Sequence, residues 1–157
     1  MQAEFIWKFF SIFGELEFWI GAAVAALLIY SITPKKQKNY ISWFIFGALP
    51  AVIITWFIIE ILKFLFKIPR PCMGLDFCPT DYSFPSGHAS IIFASMVVAI
   101  AQSKNKKIRV VLLALATLVS LSRVFLAVHT FIDIITGAII GSVIGYLVYR
   151  SYKGFRS

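Results

Sequence analysis

The chain has 157 residues, of which 60% are hydrophobic, 17% aromatic and 14% charged. Soluble domains run at about 45–50% apolar and about 25% charged. With a mean hydropathy of +0.87, a water-soluble fold would expose large apolar patches. Disorder is excluded by the same apolar content, and a disulfide scaffold by having only two cysteines. A lipid bilayer is the solvent that fits, and the length suits one domain over 1–157.

Fifteen Lys and Arg against seven Asp and Glu give a formal charge of +8. The basic residues sit between apolar runs, not on one continuous surface. That pattern fits orientation in a membrane and contact with anionic lipids. It does not fit nucleic acid.

Residues 3–13 place Phe5, Ile6, Phe9, Ile12 and Phe13 at helical spacing. This suits a short helix lying in the membrane interface, or else an additional span. Glu4, Glu15 and Glu17 are no basic leader, and the Ala22–Ala26 cluster lies inside the next apolar run, so the segment reads as retained. Five apolar runs follow, at 18–32, 41–62, 87–102, 108–128 and 130–149. About 17–25 residues cross the hydrocarbon as a helix, and helices satisfy their own backbone in lipid. The expected fold is therefore all-α. It is a polytopic transmembrane helix bundle of five spans (six if 3–13 inserts), with a short N-terminal interfacial helix.

Pro50 is expected to kink the second span and to be tolerated there. Connector 33–40 carries Lys35, Lys36 and Lys38, connector 103–109 carries Lys104, Lys106, Lys107 and Arg109, and the tail carries Arg150, Lys153 and Arg156. With five spans all three fall on one side, which should be cytoplasmic, with the C-terminus inside. The 63–86 loop then faces outside. It holds Cys72 and Cys78, for which a disulfide and two free thiols are both open. Gly137, Gly141 and Gly145 flatten one face of the last span, for packing within the monomer rather than for a dimer.

Three polar groups lie at the outer ends of these helices. Lys63 precedes Arg70-Pro71, Pro85-Ser86-Gly87-His88 opens the third run, and Ser122-Arg123 precedes His129 and Asp133. Asp133 follows His129 by four residues, so a helix sets them on one face. A carboxylate there can hold one imidazole nitrogen protonated and leave the other as base or nucleophile; a purely structural pair is the alternative. Lys63, Arg70 and Arg123 supply cations that suit a phosphate, or snorkel at helix ends. Ser86 and Gly87 expose N–H groups at a positive helix end, an anion nest, with His88 placed to give a proton to a leaving oxygen. Taken together, the groups describe phosphoryl transfer. There is no acidic cluster for a metal, which implies no metal cofactor.

The spacings K-x6-R-P, P-S-G-H and S-R-x5-H-x3-D resemble the three signature motifs of the type 2 phosphatidic acid phosphatase (PAP2) superfamily, in the same order. The resemblance implies that His129 is the nucleophile, forming a phosphohistidine, that Asp133 orients it and that His88 is the general acid. It also implies that Lys63, Arg70, Ser86, Gly87 and Arg123 hold the phosphate and that no cofactor is needed. Bacterial lipid phosphatases of this family usually have six spans, one more than counted here. Short loops and an apolar surround favour a lipid phosphate as substrate, first a polyprenyl diphosphate and second phosphatidylglycerophosphate or phosphatidate. A vanadate-dependent haloperoxidase shares the anion motifs but is soluble or peripheral. A non-enzymatic membrane protein would have no reason to keep every chemical residue. Glu60, one turn before Lys63, either orients that lysine or marks the interface.

Overall fold

The computed structural model describes residues 2–34 and 39–154. Lys35, Lys36, Lys38 and Arg156, counted above toward orientation, lie outside the described residues. The described chain is helical: α1 (Gln2–Ile12), α2 (Leu16–Ile32), α3 (Asn39–Trp43), a π-helical turn (Phe44–Ala48), α4 (Leu49–Phe66), α5 (Gly87–Gln102), α6 (Lys106–Phe125) and α7 (Phe131–Gly154).

Span lengths bear out part of the expectation of five. Among the described residues, three helices are long and apolar enough to cross a membrane: Ile41–Phe66, Lys106–Phe125 and Phe131–Gly154. A fourth arises only if α1 and α2, bent by 48° at their junction, form one broken span. The run 87–102 forms α5, but its 16 residues rise only about 24 Å at ~1.5 Å each, short of the ~30 Å of hydrocarbon. Protein rather than lipid surrounds it, because α4, α6 and α7 all pack on it.

Residues 3–13 do form a helix, and that helix is docked. α1 lies against α6, where the rings of Trp7 and Phe125 stack at 4.3 Å. The turn into α2 is tied by the Trp19 indole N–H donating to the Phe13 carbonyl at 3.0 Å. Pro50 acts on the turn before it. A proline has no N–H to offer and crowds the carbonyl four residues back, here that of Phe46. The backbone answers with the π-helical turn Phe44–Ala48 and then resumes as α4, so the disturbance is absorbed without a break.

The core runs between α4, α5 and α6, where Val52, Ile92 and Val119 are fully buried. Beside it, α7 lays its three glycines on α5. A Cβ built at Gly137 would sit 2.6 Å from the Ser86 carbonyl oxygen. At Gly141 and Gly145 it would run into the carbonyls of Ser90 and Ala94. The small-residue face therefore serves packing within the chain. Leu28, Phe57, Val110 and Ile139 point outward on four helices, as lipid contact requires.

The long loop after α4 is closed by its own bonds. Lys67 caps α4 in the left-handed region at φ 50°, Cys72 and Cys78 are disulfide-bonded, and the Ser83 N–H donates to the Ile68 carbonyl at 2.8 Å. The loop thus returns to its starting point and delivers Pro85-Ser86 to the head of α5.

Gly141→Ala should lower stability by about 1–3 kcal/mol, as overpacking against backbone does, and thermal unfolding in detergent reads it. Gly21→Ala, where a Cβ meets nothing within 4 Å, should leave the midpoint unchanged or raise it.

Candidate active site

Five pieces of chain converge at one end of the bundle: the last turn of α4, the 67–86 loop, the head of α5, the foot of α6 and the turn Leu126–Thr130. That turn is shaped by the Arg123 carbonyl, which accepts from the N–H groups of Val128 and His129 at 3.1 and 3.2 Å. Ala127 takes the left-handed conformation at φ 56° to make it. His129 is thereby folded back into the protein, only 3% exposed.

α7 then begins with a reciprocal cap. The Thr130 N–H donates to the Asp133 carboxylate at 2.8 Å, and the Asp133 N–H donates to the Thr130 hydroxyl at 3.3 Å. This capping box pins Asp133 with its Oδ2 3.4 Å from His129 Nδ1. The Ser83 hydroxyl donates a short bond to the same carboxylate oxygen and lies 3.4 Å from the same ring nitrogen.

The other face of the ring meets Arg70, whose Nη1 is 3.0 Å from His129 Nε2. A guanidinium only donates, so Nε2 accepts. A carboxylate only accepts, so Nδ1 is the nitrogen that carries hydrogen. The ring is a neutral imidazole with its lone pair turned into the site. Burial favours that form and pushes the His129 pKa from 6.5 down to about 4; Asp133 opposes the shift, and Arg70 and Arg123 add to it.

The cations gather around the same point. Arg70 also donates from Nη1 to the Val128 carbonyl at 3.0 Å and from Nη2 to Asp81 Oδ1 at 2.7 Å. Lys63 Nζ lies 2.6 Å from Asp81 Oδ2 and 3.1 Å from Glu60 Oε1. Asp81 thus bridges two buried cations with its two oxygens. Burial raises its pKa, but Lys63 and Arg70 outweigh that and hold it below the ordinary carboxylate value. Of the two readings of Glu60, the contact favours orienting Lys63.

Arg123 is buried, and its Nη1 donates a short bond to the Ser11 hydroxyl. Its Nε has no partner among the described residues. Gly87 follows the N-cap Ser86 and lies against Lys63, its built Cβ 3.8 Å from Nζ. The nest is narrower than expected, because the Ser86 N–H already donates to the Asp133 carbonyl at 3.1 Å. The Ser86 hydroxyl is buried without a partner among the described residues, so it remains as a free donor. His88 completes the group, with Nε2 3.9 Å from Glu15 Oε1.

All eight residues singled out in the sequence therefore surround this end of the bundle. Asp81, Ser83, Glu15 and Ser11 were not anticipated. Asp81 and Ser83 stand within seven residues before His88, and Thr130 and Asp133 carry capping-box spacing, so those signals were present. Glu15 and Ser11 carried none. Outside the site opens a cavity of about 1040 Å³ between α1, the loop and the foot of α6. Its floor holds Arg123, Ser11 and Glu15, and its walls are Phe5, Phe9 and Phe125.

The sequence profile of the PAP2 superfamily matches residues 44–157. The chain belongs to this superfamily. An undecaprenyl-diphosphatase of Sulfolobus acidocaldarius is 33% identical over 139 residues, which are 88% of this chain and 66% of that protein. The chain thus spans just under two thirds of that relative. A lipid A 4'-phosphatase of Porphyromonas gingivalis is 26% identical over 95% of this chain and 67% of its own length. Among solved structures, LpxE of Aquifex aeolicus superposes with a TM-score of 0.73 at 21% identity, covering 95% of this chain and 86% of that one. The transmembrane PAP2-type phosphatidylglycerolphosphate phosphatase of Bacillus subtilis reaches 0.75 at 23% identity, over 99% of this chain and 77% of that one. Both share the PAP2 fold seen here.

Two outcomes follow from the geometry. Ser83→Ala removes a donor from a buried carboxylate and should cost about 1–3 kcal/mol, read as a lower unfolding midpoint in detergent. The His129 ring should titrate near pH 4 by NMR, not near 6.5. Because the fold lowers this value, its contribution to stability is complete above pH 6.5 and is lost as pH falls toward 4.

Proposed function

We propose that this PAP2 protein is a metal-independent membrane phosphatase acting on a lipid phosphate through a phosphohistidine. The observation that carries the reading is His129, held neutral with Nδ1 toward Asp133 and Nε2 toward Arg70. In the proposed reaction the phosphate of the substrate displaces Asp81 from Lys63 and Arg70, so its oxygens take over their N–H groups. Arg123 and the Ser86 hydroxyl, each with an unpartnered polar atom, and the Gly87 N–H complete the cradle. The Nε2 lone pair forms a bond to phosphorus, and the bond from phosphorus to the leaving oxygen breaks. His88 gives that oxygen its proton. Water then attacks the phosphohistidine with His88 as base, which breaks the phosphorus–nitrogen bond and frees inorganic phosphate.

The substrate we favour is a polyprenyl diphosphate, cleaved to the monophosphate. The named activity of the Sulfolobus relative supports it, and the aromatic-walled cavity beside Arg123 offers room for a hydrocarbon chain. A glycerolipid phosphate is the second reading, suggested by the name of the Bacillus neighbour. We further propose that the site faces the extracytoplasmic side. Lys104, Lys106, Lys107, Arg109, Arg150 and Lys153 all lie toward the opposite helix ends, where the positive-inside rule expects cytoplasm.

Phosphate release by the purified protein in detergent, with EDTA present, tests the reading. A polyprenyl diphosphate, phosphatidylglycerophosphate and phosphatidate are offered side by side, with His129→Ala as the blank. The expected outcome is fastest release from the diphosphate, none from the blank, and no gain on adding Mg²⁺. Restoration by Mg²⁺ would refute the metal-free chemistry. Near wild-type release from His129→Ala would refute the nucleophile.

A further inference from the structure

Residues 1–43 lie outside the segment that matches the family, yet the corner between α1 and α2 reaches into the site. Gly14 packs on the imidazole of His88 so closely that a Cβ there would lie 2.8 Å from the ring's Cδ2. Ser11 accepts from Arg123. Glu15 Oε1 stands 3.9 Å from His88 Nε2, a buried nitrogen with no hydrogen-bond partner among the described residues.

We propose that Glu15 is a positioning residue for the reaction, acting through His88 to aim its imidazole at the leaving oxygen and to strengthen its hold on the proton to be transferred. The inference rests on the reading of His88 as general acid. Its argument is electrostatic. A general acid must hold a proton until the leaving oxygen needs it; burial of the His88 ring opposes that most, the Arg123 cation adds to it, and Glu15 works against both. The charged and titratable groups facing His88 are Arg123 from α6, His129 from the turn before α7 and Glu15 from the α1–α2 corner. The other carboxylates near the site are committed. Asp81 bridges Lys63 and Arg70, Glu60 holds Lys63, and Asp133 holds His129, Ser83 and the Thr130 N–H. Glu15 is the anion left to offset Arg123 beside this ring. At 3.9 Å it supplies charge without engaging the Nε2 proton in a hydrogen bond, so the proton stays available for transfer. Gly14 permits the arrangement, since any side chain at that position would push the ring away.

The leaving group separates this role from a structural one. An alkyl phosphate ester releases an alcohol that must be protonated as it departs. A p-nitrophenyl ester releases a stable phenolate that needs no proton. Glu15→Gln in the full chain, in detergent micelles, should lower the first-turnover rate of leaving-group release from phosphatidate by about 10- to 100-fold, part of the ~10²–10⁴ a general acid supplies. KM should stay within about twofold, and first-turnover release of p-nitrophenolate from p-nitrophenyl phosphate within about threefold. Glu15→Asp, which keeps the charge, should recover part of the phosphatidate rate, and it carries the same comparison should Glu15→Gln not fold. Equal losses on both esters, or no loss on either, would overturn the proposal. His88→Ala is the control, expected to show the same split between esters in first-turnover release, where its role as base in the second step does not enter, and in larger measure. If it slows both esters alike, the acid assignment itself is wrong and the role of Glu15 falls with it. If it shows the split and the Glu15 variants do not, only the role of Glu15 is refuted.

Discussion

Charge buried within a helical membrane bundle is the condition this architecture has to meet. Lys63, Arg70, Arg123, His129 and Asp133 are each less than a tenth exposed. An unpaired ion in such surroundings is strongly disfavoured. The bundle answers with a partner for each, most of them delivered by another piece of chain. The 67–86 loop brings Asp81 to two cations and Ser83 to Asp133, α1 brings Ser11 to Arg123, and the foot of α6 turns His129 onto Asp133. The loop's path and the α1–α2 corner make sense as means of bringing these partners in.

The glycine face of α7 serves the same end from the helical side. Close approach of α7 to α5 sets the Asp133 carbonyl against the Ser86 N–H at 3.1 Å. The head of α5 and the first turn of α7 are thereby locked together. Ser86-Gly87-His88 and His129-Asp133 become two halves of one rigid unit, as a site needing sub-ångström placement requires.

Much of the site was legible because its residues stand at short, fixed spacings along the chain. His129 and Asp133 four apart, Lys63 and Arg70 seven apart, and Ser86-Gly87 at a helix head are local facts that survive folding. The glycines at 137, 141 and 145 were legible for the same reason. The partners were less so. Nothing in the composition of residues 1–17 distinguishes a helix lying in an interface from one docked on α6, because the difference lies in Trp7 meeting Phe125 across 118 residues. Hydropathy alone also counts more spans than helix length bears out, since it measures how apolar a run is and not what surrounds it. α5 is apolar because other helices enclose it. The Ser86 N–H was assigned to an anion because local reasoning could not see the carbonyl of Asp133 arriving from α7.

The bond between Arg123 and Ser11 joins residues 112 positions apart, and it has a consequence in time. A chain made from its N-terminus presents α1 first. The guanidinium that α1 will meet is then still more than a hundred residues from being built. The loop, α5 and α6 must all emerge and settle before the two can join, and His129 arrives later still. The polar cluster around Arg123 and His129 is therefore among the last features of the molecule to close. A partly inserted chain, however helical, holds only fragments of that cluster.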